Sequence, residues 1–124
     1  MKQPLEVTGI TVQVRVSDFD VGQAWYAALP GRPPDLEPSD DASEWEILPN
    51  CWLYVALGAA GGSGALHLGV ADVAAERERL QDALGVAISE VQRIEGEVAW
   101  CEFEDPFGNR LGLFEDLADS ANLA

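Results

Sequence analysis

The chain has 124 residues, 48% of them hydrophobic, which is enough for one domain with a buried core and excludes disorder as the default state. Seven basic residues against 22 acidic ones give a net charge of -15, a field that repels phosphate backbones and anionic lipid. Nucleic-acid and membrane-surface roles are therefore disfavoured and a cationic partner is favoured, although acidity also serves simply to keep a small protein soluble.

No run approaches the length of a membrane-spanning helix, and the start, MKQPLEVTG, lacks the apolar stretch of a secretory signal. The expectation is a cytoplasmic protein. Cys51 and Cys101 have no metal-type spacing and read as reduced packing residues.

The first strand is expected over residues 7–16, where Ile10, Val12, Val14 and Val16 alternate with Thr11, Gln13 and Arg15. Asp20 is expected to cap a helix, with Gln23 completing a capping box, and Val21, Ala24, Trp25, Ala28 and Leu29 to form its core side. Pro30 and Gly31 stop it. GRPPDLEPSDDAS has no periodicity and reads as a flexible lid or an edge segment. Strands resume over 44–48 and 51–57 around a turn at Pro49-Asn50, and in the latter Trp52, Tyr54 and Ala56 share one face.

GAAGGSG, residues 58–64, is a linker by composition. Leu66, Leu68 and Val70 then form the apolar face of a strand whose other face carries Ala65, His67 and Gly69. Asp72 is expected to cap the second helix, with Val73, the stem of Arg77, Leu80 and Leu84 inward and Gly85 as the stop. Strands are expected over 86–91, 98–103 and 110–114, with turns at Glu95-Gly96 and DPFGN and a frayed acidic tail. The halves thus repeat one another: module one spans about 7–57, module two about 65–115, and residues 116–124 form the tail of a single domain.

VRVSDFDVGQAWYAALPG, LHLGVADVAAERERL and EFEDPFGNRLGLFE together resemble the glyoxalase/bleomycin-resistance/extradiol-dioxygenase group, the vicinal oxygen chelate superfamily, over nearly the whole chain. The resemblance implies an α+β fold, with paired βαβββ modules forming a cupped mixed sheet covered by helices, and a homodimer. Many members hold a divalent metal through His and Glu on the cup face. In those members a His precedes the Asp of the first RVSD-like motif by seven residues, where this chain has Thr11. The same offset from Asp72 falls on Ala65, with His67 two residues further on, and the last Glu ligand is replaced by Gly112. The remaining Glu position matches nothing acidic in WLYVALG. No cofactor is therefore expected, and a divalent metal held by His67, Glu102 and a residue from a second chain is disfavoured.

Alternation, with the family pattern setting the parity of Glu102, places Thr11, Gln13, Arg15, Trp52, Tyr54 and His67 on the cup face. Trp100, Glu102, Arg110, Gly112 and Phe114 join them, while Ala99, Cys101, Phe103, Leu111 and Leu113 point into the core. Rings with a few polar handles suit a planar or cationic small molecule, bound as in the bleomycin-resistance branch. Unpaired, Arg15 and Arg110 would instead favour a carboxylate-bearing ligand. The alternatives are a superfamily lyase, isomerase or dioxygenase acting on a small oxygenated substrate, and a scaffold for assembly with another chain. In the enzyme reading Glu102, buried beside Trp100, acts as general base together with His67, or both serve an atypical metal.

Overall fold

The structure, a computed structural model, describes residues 6–59 and 66–118. The chain divides into two compact units, Met1–Ala59 and Ala60–Ala124. The linker read at 58–64 lies mostly outside the described residues, as does most of the tail.

In the first unit, the alternating apolar residues of β1 (Ile10–Val16) bury Val14 and Val16 beside Leu53 and Val55 of β4 (Cys51–Leu57). β1 begins three residues later than residue 7. Its parallel partner starts at Cys51, opposite Ile10, so Val7 has no ladder to join and lies 66% exposed. α1 (Phe19–Ala28) is capped by Asp18, not Asp20: the Asp18 carboxylate accepts the Val21 N–H at 3.2 Å. Gln23 makes no capping box either, since its amide donates to Glu37 and Ser43.

The buried side of α1 is also rotated from the expected one. Gly22, Trp25, Tyr26 and Leu29 are buried at helical spacing, whereas Val21 is 49% exposed and Ala24 is exposed. Gly22 explains this. A Cβ there would stand 2.6 Å from Val16 Cγ2, so the missing side chain lets the helix rest directly on β1 and swings Val21 outward.

The Pro- and Asp-rich segment contains an edge strand, β2 (Leu36–Ser39), antiparallel to β3 (Ala42–Leu48). It is tied down in front of that strand. The Asp35 carboxylate accepts from Arg32 Nη1 and from the Glu46 N–H, both at 2.7 Å, and Arg32 holds the Asp35 pKa below its ordinary value. The strand order is β1-β4-β3-β2, with β3 antiparallel to β4.

The second unit repeats this topology. β5 (Leu66–Gly69) runs parallel to β8 (Arg110–Asp116), and β7 (Val98–Glu104) is antiparallel to both β8 and β6 (Gln92–Ile94), giving the order β5-β8-β7-β6. Asp72 caps α2 (Val73–Leu84) through the Ala75 N–H, and Gly85 closes it in the left-handed conformation at φ 64°. Val73 and Leu80 of α2 are buried, as are Ala99, Cys101, Phe103, Leu111 and Leu113, the core side expected from alternation with the parity that the family resemblance implied.

Residues 86–91 do not form the expected strand. Arg77 of α2 donates to the carbonyls of Ile88 and Ser89, and Ser89 exchanges bonds with the Glu102 peptide through its N–H and its hydroxyl. Regular pairing starts only at Gln92. At the other end β8 runs to Asp116, and the Leu117 N–H donates to Glu97, so the beginning of the acidic tail is ordered sheet and not frayed.

The DPFGN turn is held from inside. Asp105 and Asn109 are almost fully buried; Asp105 accepts the N–H groups of Phe107 and Asn109 and the Asn109 amide at 2.7–2.9 Å. Among the described residues no helix is long and apolar enough to cross a membrane.

Candidate ligand-binding site

Strand register aligns the open face of the second unit into rows. One row reads His67 on β5, Gly112 on β8 and Glu102 on β7; the next reads Gly69, Phe114 and Trp100, with Gln92 beyond on β6. Each row contains one glycine, and each glycine is covered by a ring from the adjacent strand. A Cβ on Gly112 would meet His67 Cδ2 at 2.7 Å and Nε2 at 3.1 Å, so the imidazole lies across that position. A Cβ on Gly69 would meet Phe114 Cζ at 2.9 Å. Rings laid over glycines on neighbouring strands shield the bare backbone and fix the register.

The result is an open hollow of about 230 Å³. It is lined by His67, Glu102, Trp100, Phe114 and Val98, together with Gly112, Cys101 and Leu113. Trp100 is half-buried and Phe114 is 39% exposed, so both rings are partly accessible. Glu102 is exposed. Its N–H is held at 2.9 Å by the Ser89 hydroxyl, while its carboxylate accepts no hydrogen bond among the described residues. The burial on which the general-base expectation depended is therefore absent. Arg110 shares the face but pairs in register with Glu104, one row away from Glu102, and does not line the hollow.

The first unit has its own set of rows. Thr11, Trp52 and Glu46 form one; Gln13, Tyr54 and Glu44 the next; Arg15, Ala56 and Ala42 the third. Thr11, Gln13, Arg15, Trp52 and Tyr54 thus share one sheet face, as alternation predicted. Glu44 and Glu46 were missed. Their signal was present in the sequence: buried Ser43 and Trp45 alternate with them along β3, and that alternation assigns the two carboxylates to the open side.

The residues of the second unit do not suit a catalytic divalent metal. Such a site takes about three protein ligands and an open position. His67 and Glu102 are one imidazole and one carboxylate on strands separated by β8, which places their Cα atoms roughly 10 Å apart. Cys101 faces the core, where burial pushes its thiol pKa up and disfavours the thiolate. Among the described residues no three His, Cys, Asp or Glu side chains converge.

No protein-family model matches the sequence, and comparison with curated proteins gives no match. Solved structures do match. A glyoxalase/bleomycin resistance protein from Catenulispora acidiphila DSM 44928 is 24% identical, with a TM-score of 0.76, covering 88% of this chain and 98% of its own. TnmS3, an antibiotic binding protein from Streptomyces sp. CB03234, is 23% identical with a TM-score of 0.75, covering 91% and 99%. A lactoylglutathione lyase from Agrobacterium tumefaciens is 17% identical with a TM-score of 0.72, covering 92% and 96%. The chain has the α+β fold of the glyoxalase/bleomycin resistance proteins, the fold of the vicinal oxygen chelate superfamily that the sequence motifs resemble.

Proposed function

We propose, from the fold this chain shares with glyoxalase/bleomycin resistance proteins, that it binds a flat, cationic small molecule in the hollow of its second unit. The observation that carries this reading is the hollow lined by His67, Glu102, Trp100 and Phe114, in which the His67 imidazole is seated over Gly112. A planar ring enters the hollow beside the His67 imidazole and stacks on the indole and phenyl rings. Its positive charge is met by the Glu102 carboxylate and by the π-faces, in the field of a chain carrying a net charge of -15. The His67 imidazole supplies one further hydrogen bond from the opposite end of the row. The likeness in fold to an antibiotic binding protein supports small-molecule binding as the role.

Titrating a panel of cationic aromatic antibiotics while following tryptophan emission tests the proposal. Quenching is expected, and Glu102→Gln, which keeps the shape and removes the charge, is expected to weaken it about tenfold, equivalent to about 1.4 kcal/mol. Equal binding of neutral aromatic analogues, or no quenching by any cation, would sink the idea.

A further inference from the structure

We infer that the hollow of the second unit selects a flat guest carrying two positive charges, one at each end, and that Asp116 meets the second charge. This specificity rests on the reading of that hollow as a cation site. It adds a second carboxylate, from a residue that does not itself line the hollow.

β7 and β8 continue past the row of Trp100 and Phe114 to a third row. There Asp116 on β8 pairs with Val98 on β7, and Val98 pairs with Ile94 on β6. Asp116 lies two residues beyond Phe114, so alternation sets its side chain on the same open face, where it is exposed. Val98, its partner, lines the hollow. The end of β8 is held in place. The Leu117 N–H donates to the Glu97 carbonyl, and one Asp116 oxygen accepts the Ala118 N–H at 2.9 Å, leaving the second oxygen for a guest.

The aromatic row is thus bracketed by carboxylates. Glu102 sits opposite Gly112, four residues before Asp116 on the neighbouring strand, which puts the two Cα atoms roughly 14 Å apart by strand spacing. The diagonal between them crosses the aromatic row between Trp100 on β7 and Phe114 on β8. The Phe114 ring leans the other way, over Gly69 of β5, and so leaves that diagonal open. A flat rod laid there stacks on the indole and brings one end beside each carboxylate. A guest with a single charge would set its far end against the aliphatic side chains of Val98 and Ile94 and leave Asp116 unused.

Among the described residues no Lys or Arg joins these three rows. Arg110 is opposite Glu104, one row beyond Glu102, and Arg93 pairs with buried Ala99 and so points to the other face. Nothing basic competes for either carboxylate within the rows.

The probes are diamidinophenylindole, a flat rod with an amidinium at each end, and its mono-amidino analogue, titrated calorimetrically against the full chain. The dication is expected to bind about fivefold more tightly, in line with one added exposed ion pair. Asp116→Asn, which keeps an oxygen for the Ala118 N–H, is expected to abolish the difference by weakening the dication alone, and Asp116→Glu to preserve it. Asp82→Asn removes the same charge from the exposed side of α2 and is expected to leave the preference intact. Circular dichroism checks that each variant folds.

Equal affinity for the two probes would overturn the proposal, as would a preference that survives Asp116→Asn. A preference lost equally on Asp82→Asn would assign it to the field of the whole chain and overturn the proposal too. Mono-amidine binding that depends on Glu102, with no gain for the dication, would sink the second charge and leave the cation site standing. Failure of both probes to bind would count against the site itself.

Discussion

Gly112 is the residue whose substitution is most revealing. Any side chain there must share space with the His67 imidazole, since a Cβ would approach within 2.7 Å of Cδ2 and 3.2 Å of the Cys101 carbonyl oxygen. Gly112→Ala is expected to push the ring aside and weaken cation binding about tenfold, measured by fluorescence titration. In a His67→Ala background the clash with the ring disappears, so the added methyl should then cost less; an equal loss in both backgrounds would show that the ring is not the obstacle. The sequence made Gly112 legible as an absence of ligand chemistry, but not as a seat for His67. That second role depends on a neighbouring strand 45 positions away in the chain, and no local pattern encodes it. Glu44 and Glu46 illustrate the opposite case, since their alternation with Ser43 and Trp45 was readable and simply not used.

At the scale of elements, the two helices show where local signals suffice. Asp72 and Gly85 bound α2 as expected, because a lone capping Asp and a left-handed glycine leave little choice. α1 offers two candidate caps two residues apart, Asp18 and Asp20, and the tertiary contact of Gly22 with Val16 selects the first. Asp18→Ala is therefore expected to lower stability by about 1 kcal/mol in urea unfolding, and Asp20→Ala by no more than a few tenths. A larger loss from Asp20→Ala would contradict the cap assignment. The misplaced strand at 86–91 has a related cause: its apolar residues look sheet-like, but Arg77 and Ser89 claim the backbone groups that a ladder would use.

At the scale of the whole molecule, the charge of -15 makes a quantitative demand on the proposed function. Attraction of a cation by a distributed field is screened over about 10 Å at 0.1 M ionic strength, so raising salt from about 0.01 M to 0.3 M should slow association markedly. Stopped-flow fluorescence measures this directly. The dissociation rate, governed by stacking and by the close Glu102 contact, should change much less. Association rates indifferent to salt would leave the acidity with solubility as its sole role.

The sequence alone determined that the chain is built twice over from one strand–helix–strands pattern, and which side chains of β1 and β4 face away from the helix-covered core. Both follow from short periods, two residues in a strand and 3.6 in a helix, that any stretch of chain carries within itself. Which open-face residues stand side by side was decided only by the tertiary structure. Pairing His67 with Gly112 and Glu102, or Gln13 with Tyr54 and Glu44, depends on the register of strands distant in sequence, and that register is set by turns, glycine contacts and core packing together.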